Sequence, residues 1–574
     1  MSYICYPNNG NGLVYDEILN NLTNASILGY DIEASGYHVG TDIPYGFSIT
    51  DSPDYGAYAS IDDKRFLGLL ANENVTKIMY NAKYDRSMLA KAGVTVNNLC
   101  DPMIAAHLLE YDKLALHIVA GQVLGVDLQQ FKDFDKPVNE ITMKEWAEYS
   151  CPQIMATVAL WKNLEIRLKK LALLGVFWNI EMPFVPVISD MELNGVMVDP
   201  DVLSTLGVDF DQKIGVLNGA LDEISGTTGM NHNSPDQVSE LLYKKLGVKT
   251  KSFSGTKTNK RPSVDKRVLE LVKDQHQYIG VYLFFKQLKT LKNSYVDSLL
   301  KRIVNGRVYG SFNQTRTRTG RLSSTDPNLQ KIPQRTAIGR KIRTAFIAPP
   351  GHKLMKADFD LLELKMGANC SHDPVMIQAF LDGRDIHEET AIRAFNNAKR
   401  RSEGKTLNFK IYYGGGARRD REILEKAYPL TFRWIKLASM KARLDLYAKT
   451  LGGRIRTIPE LEHDRPSWMI KHGEREAIST IVQGSSAEEV KKGMTRVWKV
   501  LGNSVVKCVL QVHDEAVYEV PDSDIDEVAH ILRKELYTDE YSVPLTVSVS
   551  VGENWGEMKE LKEGERWAQI STKT

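Results

Sequence analysis

Hydrophobic positions along the chain follow two periods, and their order sketches the architecture. ASILGYDIEASG is a short apolar run ending in carboxylates, which predicts a strand closing at Asp31 and Glu33. VTKIMYNAKYDRSMLAKAG predicts a strand running into a helix, and ITMKEWAEYSCPQIMATVALWKNLEIRLKKLALLG predicts one long helix. This first part therefore reads as α/β, with a boundary near residue 175. Beyond it MELNGVMVDPDVL turns at Asn194-Gly195, and a helix-rich stretch to about 310 contains the polar, basic loop KSFSGTKTNKRPS. Two strand signals follow: HKLMKADFD (352–360), and VVKCVLQVHDEAVYEV (505–520), whose two apolar runs around a polar tip read as a hairpin. A mainly helical block lies between them.

Within that block RRSEGKTLNFKIYYGGG places Arg401, Lys405, Phe409 and Tyr413 at four-residue steps before three glycines. On a helix each step advances about 40° past a full turn, so two cations and two rings share one broad face over roughly 18 Å. Like charges at i,i+4 repel mildly on a bare helix, and an anion between them reverses the sign. The rings offer a stacking surface for a base. The face fits a nucleotide, and an amphipathic helix with a solvated basic end is the plain alternative.

Composition narrows the class. The chain has 574 residues, enough for three or four domains, and a formal net charge of only +2, so any nucleic-acid contact must come from local patches. One such patch runs from Asn313 to Arg343, with eight Arg or Lys residues against the single acid Asp326, and interleaved Asn, Gln, Ser and Thr suit phosphates and minor-groove edges. The five cysteines form no close pair and no zinc-ligand spacing, which fits a reducing compartment. MSYICYPNNG carries no signal-peptide pattern, no apolar run approaches 18 residues, and no internal repeat is evident, so no membrane association is expected.

Carboxylates close both later strand signals: Asp358 ends the first, and Asp514 with Glu515 forms the hairpin tip. Oxygen ligands on adjoining strand ends suit two hard divalent cations, the arrangement that in-line phosphoryl transfer uses.

TRTGRLSSTDPNLQKIP (317–333), DFDLLELK (358–365), RSEGKTLNFKIYYG (401–414), AISTIVQGSSAEEVKKGM (477–494), QVHDEAVYEV (511–520) and GENW (552–555) occur in this order, and with them the chain resembles family A DNA polymerases, those similar to bacterial DNA polymerase I. The resemblance implies an α/β multidomain fold, an RNase H-like 3′→5′ exonuclease domain (1–175) followed by a right hand: thumb (190–310), palm (311–372 and 445–574) and fingers (373–444). It implies a DNA-templated DNA polymerase that extends a primer 3′-hydroxyl with dNTPs. Asp358 and Asp514 become ligands of two Mg2+ ions, with Glu515 supporting; Arg401 and Lys405 contact the triphosphate, Lys405 also serving catalysis, and His387 assists from a neighbouring helix. Glu363 becomes the steric gate against a 2′-hydroxyl, Phe409 and Tyr413 border the incoming nucleotide, and Arg321, Asn328, Gln330, Gln483 and His513 touch primer and template.

The N-terminal part resembles the family's proofreading nuclease. Asp31, Glu33 and Asp85 match three of its four metal-binding carboxylates, for Mg2+ or Mn2+, and Tyr149 matches its tyrosine. The fourth position is Gln153, a neutral side chain that holds a hard cation less well, so impaired editing is expected. The thumb region lacks the large insertion that binds a thioredoxin-type clamp in some phage relatives. Primer-template DNA and dNTPs are the implied partners of a cytoplasmic monomer, and the chain's start, almost directly at the exonuclease-like part, resembles a phage replicative enzyme acting in an infected bacterial cell, with organelle and truncated bacterial forms as the alternatives.

Two other functions compete. A single-subunit RNA polymerase also carries Arg, Lys and Tyr-Gly on its nucleotide helix, but Glu363, TGRLSS, QVHDE and the exonuclease-like part favour DNA synthesis. A catalytically dead DNA-binding scaffold is opposed by retention of both Asp358 and Asp514. Asp360, Leu361, Lys365 and Ser479 depart from the residues common in the family, near the expected template and primer.

Overall fold

The computed structural model describes residues 3–5, 12–134, 136–250, 253–254, 261–334, 336–412 and 418–571. The expected nucleotide contact Tyr413 lies outside the described residues. The N-terminal part is built on a six-stranded mixed sheet in the spatial order Tyr3–Cys5, Tyr55–Ser60, Pro44–Thr50, Ile27–Ala34, Thr76–Ile78 and Leu99–Cys100. Ile27–Ala34 is flanked on both sides and buried along most of its length, which is why it reads as an apolar run with no alternation. The long helix Met143–Lys170 begins at a capping box, in which the Glu145 amide donates to Thr142 Oγ1 over 3.3 Å and the Thr142 amide donates to Glu145 Oε2 over 2.8 Å. It crosses the sheet at Gly29, where any Cβ would stand 2.5 Å from Val158 Cγ2, so the close approach requires glycine.

A helical segment from Leu174 to Asn194, with a π turn at Phe177–Glu181, joins this part to the rest. It stops at Gly195, whose φ of +54° suits glycine, at the turn the sequence predicts. Helices Pro200–Ser225 and Gln277–Leu291 then pack around Leu221, Tyr278 and Tyr282. The polymerase-like core is a five-stranded antiparallel sheet ordered Lys507–Val512, Glu515–Pro521, His352–Phe359, Val547–Gly552 and Lys559–Glu560. The 35-residue helix Ser467–Leu501 packs beside it, and Leu354, Val482, Met494, Val517 and Val551 belong to one buried cluster.

The hairpin and the 352–359 strand stand where the apolar pattern puts them. Five strands do not come from that pattern. Pro44–Thr50 and Tyr55–Ser60 carry Gly, Ser and Tyr among their apolar residues, and Val547–Gly552 alternates with serine. Inside the stretch read as a loop, Phe253–Ser254 pairs with Arg261–Pro262. Cys100, Cys151, Cys370 and Cys508 form no disulfide among the described residues. Among the described residues no single helix is long and apolar enough to cross a membrane; Met143–Lys170 with Leu174–Asn194 would qualify only as a pair bent by 118°, and its Leu160, Leu164, Phe184 and Ile188 are buried in the protein's own cores.

Ion pairs stitch the two halves together. Lys83 Nζ reaches Glu192 at 2.7 Å and the Phe312 carbonyl at 2.8 Å, and Asp190 accepts from Arg86 at 2.5 Å and from the Trp498 indole at 2.6 Å. The π turn drives Glu181 into a buried cluster, where it bonds Arg454, Lys491 (2.7 Å) and the Gln314 amide (2.7 Å). Burial alone would raise the Glu181 carboxyl, but the Lys491 and Arg454 charges pull it down to about 2. Nearby, His107 meets the Thr317 carbonyl at 3.2 Å and is pushed down to about 4 by burial and by Arg454.

Candidate active sites

The register of the five-stranded sheet places Asp358 directly opposite Glu515, and the Phe359 amide donates to the Asp514 carbonyl over 3.2 Å. His513, at φ +60°, makes the turn that leaves Asp514 at the hairpin tip beside Asp358. Burial, then the charge of Asp358, raises the Asp514 carboxyl to about 6. Two carboxylates that repel in this way form a donor set that a divalent cation would relieve.

Glu515 has a different setting. It is 4% exposed, accepts from Trp555 Nε1 at 3.1 Å, and lies 3.5 Å from Arg343 and 3.8 Å from Lys356. Burial raises its carboxyl while Lys356 and Arg343 oppose that rise. The Arg343 guanidinium lies over the Trp555 ring, 3.7 Å from its centroid, and is 4% exposed. This corrects the reading of 313–343 as a uniformly DNA-facing basic surface: Arg343 points inward and supports Glu515, a role that a charge count cannot reveal.

The helix Arg401–Ile411 buries Gly404, Leu407, Asn408 and Ile411 and leaves Arg401, Lys405 and Phe409 exposed, so the described part of the four-residue stripe lies on one open face. Arg401 is held by Asp385, with Nε at 2.8 Å and Nη2 at 2.6 Å. Asp385 caps the adjacent helix Ile386–Phe395, and its place in this pairing was not legible beforehand. His387 is buried, its Nδ1 accepting from Asn408 Nδ2 at 2.9 Å, and Asn408 also bonds the Ile386 carbonyl and Thr390. Burial lowers the His387 pKa, which favours a neutral ring with its proton on Nε2. That ring tilts against Phe409, centroids 6.4 Å apart.

Glu363 lies in the first turn of the helix Leu362–Ser371 and is bound by Arg321, so the expected gate and an expected DNA contact form one ion pair. Gln330 donates to Gln511 Oε1 at 2.9 Å, and Asn328 Oδ1 is buried without a protein partner. Gln483 lies half-buried on the helix Ser467–Leu501.

In the N-terminal sheet Asp31 and Glu33 sit on the strand Ile27–Ala34, and Asp85 on the helix Ala82–Lys91 faces them, its Oδ1 accepting from the Ile32 amide at 3.2 Å. Asp85 Oδ2 is buried with no partner. Burial pushes Asp31 up to about 7 and, with the neighbouring carboxylates, raises Glu33 and Asp85. An unpartnered buried oxygen among three repelling carboxylates fits a hard cation. Among the described residues no group of three or more His, Cys, Asp or Glu is drawn to ion-holding distance as it stands. Tyr149 packs against Phe131, Phe134 and Trp146, and burial followed by the charges of Glu33 and Asp31 raises its hydroxyl pKa. Gln153 is turned to the Gln129 carbonyl, donating over 2.7 Å.

Residues 200–557 match the family model for DNA polymerase family A, and residues 14–169 match that for a 3′-5′ exonuclease. The chain belongs to the family A DNA polymerases. It is similar to DNA polymerase I of Chloroflexus aurantiacus, 32% identical over 601 aligned positions that cover 96% of this chain and 63% of the relative. It is also similar to the thermostable DNA polymerase I of Thermus aquaticus, 34% identical over 502 positions, 83% of this chain and 58% of the relative. The chain thus spans about three fifths of the length of these curated relatives. Among solved structures, the POL domain of Pol1 from M. smegmatis, in complex with DNA primer-template and dNTP, superimposes with a TM-score of 0.85 at 26% identity, covering 95% of this chain and 98% of the other.

Proposed function

We propose that this family A polymerase is a DNA-templated DNA polymerase that adds dNTPs to a primer 3′-hydroxyl, and that its N-terminal domain is a weakened 3′→5′ exonuclease. The observation that carries the first reading is the junction of Asp358 and Asp514 at adjoining strand ends, where their mutual repulsion leaves a donor set suited to divalent cations. Those two residues would hold Mg2+, which when bound supplies charge for activating the attacking hydroxyl and stabilising the departing pyrophosphate. Lys405, which has no ion pair among the described residues, and Arg401, once released from Asp385, neutralise the triphosphate. Neutral His387 donates from Nε2, and Phe409 offers a ring face. Glu363, fixed by Arg321, presents a carboxylate and its methylenes where a ribose 2′-hydroxyl would crowd. Arg321, Asn328, Gln330, Gln483 and His513 line the path of primer and template. Residues 190–310, 311–372 with 445–574, and 373–444 act as thumb, palm and fingers of a cytoplasmic monomer that works without a thioredoxin-type clamp.

For the exonuclease, Asp31, Glu33 and Asp85 hold Mg2+ or Mn2+ and Tyr149 orients the attacking water, while Gln153, neutral and engaged with Gln129, contributes no charge. Primer extension with dNTPs and with rNTPs tests the polymerase reading. Extension by the wild type with dNTPs only, abolished in Asp358→Ala, is expected; normal extension by Asp358→Ala would refute the metal assignment, and equal use of rNTPs would refute the Glu363 gate.

A further inference from the structure

The polymerase centre contains a cation of its own. Lys356 lies two residues before Asp358 on the strand His352–Phe359, so both side chains emerge on the same face, and Glu515 is the direct cross-strand neighbour of Asp358. The Lys356 ammonium therefore falls between the two acids, 3.4 Å from Asp358 Oδ2 and 3.8 Å from Glu515 Oε2. The side chain is only 16% exposed, so water disperses its charge poorly. Glu515 also has Trp555 and Arg343 on its other side, whereas Lys356 is the one ion-pair partner of Asp358 among the described residues.

We propose that Lys356 is a positioning residue that sets the metal affinity of this centre: its ammonium holds Asp358 and Glu515 in place in the DNA-free enzyme and opposes the entry of a divalent cation at Asp358. A dication approaching Asp358 meets a fixed positive charge and must push it aside. The inference rests on Asp358 being a metal ligand, and the test separates the two.

Mn2+ binding is titrated by electron paramagnetic resonance on the DNA-free 574-residue chain, with its exonuclease carboxylates silenced by Asp31→Asn and Asp85→Asn. Adding Lys356→Ser should tighten Mn2+ binding by about tenfold or more, Lys356→Gln should do the same with side-chain length retained, and Lys356→Arg should stay near the parent. Equal or weaker Mn2+ binding in both neutral variants, with wild-type thermal melting, overturns the proposal. Parent Mn2+ binding that Asp358→Asn leaves unchanged overturns the metal reading of the centre, and this inference with it.

Discussion

Gly404 lies inside the helix that carries Arg401 and Lys405, at its contact with the helix bearing His387. A Cβ there would run into the His387 carbonyl oxygen and stand 3.0 Å from the Ala391 amide nitrogen and 3.2 Å from Ala391 Cβ. Two of these obstacles are backbone atoms of a helix, which cannot rotate away as a side-chain tip can. Gly404→Ala must therefore separate the two helices by something on the order of 1 Å. Overpacking of this kind costs about 1–3 kcal/mol, and the better helix propensity of alanine returns about 1 kcal/mol, so the net stability loss is at most about 2 kcal/mol. Function should suffer more than stability. Arg401, Lys405 and Phe409 ride on one helix while Asp385 and His387 ride on the other, and misplacement by about 1 Å near a reacting group is worth roughly 100-fold. Steady-state single-nucleotide incorporation should show kcat/KM for the correct dNTP falling about 10- to 100-fold, with a raised KM and a melting point lower by only a few degrees. Gly215→Ala is the control: its added Cβ meets nothing within 4 Å on the helix Pro200–Ser225, so it should be neutral or stabilising by up to about 1 kcal/mol. Wild-type dNTP kinetics and melting in Gly404→Ala would refute the reasoning.

Other expectations follow from groups already placed. Glu181→Gln takes from buried Lys491 its bonded carboxylate and leaves Arg454 only Glu488 at 3.9 Å, and denaturant unfolding at neutral pH should show a loss of about 3–5 kcal/mol. Because the folded Glu181 carboxyl sits at about 2, below its ordinary 4.5, its stabilisation is complete above pH 4.5 and is lost as pH falls toward 2; the variant should lack that part of the acid slope. His107 titrates in the fold at about 4 against an ordinary 6.5, so the unfolded chain takes up the proton first and stability should decline from pH 6.5 to 4, a slope that His107→Gln removes. Gln153→Asp should accelerate single-stranded primer degradation with Mg2+ or Mn2+ by about tenfold or more, and equal rates would show that a fourth carboxylate is not what the exonuclease lacks. Phe409 is 48% exposed, so Phe409→Tyr adds a hydroxyl without burying it; incorporation of dideoxynucleotides should rise by at least about tenfold, and no change would count against Phe409 as the discriminating side chain.

Local patterns carried well in this chain where one element sets the geometry. The hairpin needs only two apolar runs and a polar turn, and the face shared by Arg401, Lys405 and Phe409 needs only helical spacing. Patterns failed where meaning depends on what lies opposite. Arg343 counts as one more basic residue until Trp555, 212 positions later in the chain, is found beneath it. Lys356 looks like a solvated lysine until strand pairing puts Glu515 across from Asp358. Asp385 caps the helix Ile386–Phe395, and its second task as the anchor of Arg401 comes from the packing of two helices. Val547–Gly552 escaped notice because a strand with one face on helix Ile525–Leu536 alternates with serine and offers no apolar run.

The cluster around Glu181 decides where the chain can be divided. Removal of the first 171 residues strips Trp161 from its stack on Phe177, centroids 5.0 Å apart, and takes Lys83 and Arg86 from Glu192 and Asp190, acids that the cut itself opens to water. A cut ten residues later deletes the carboxylate that bonds both Arg454 and Lys491, leaving those buried cations only the more distant Glu488, 3.9 Å from Arg454, and no surface redesign restores it. The junction helix is thus property of the polymerase-like half, and the two domains are separable only upstream of Glu181.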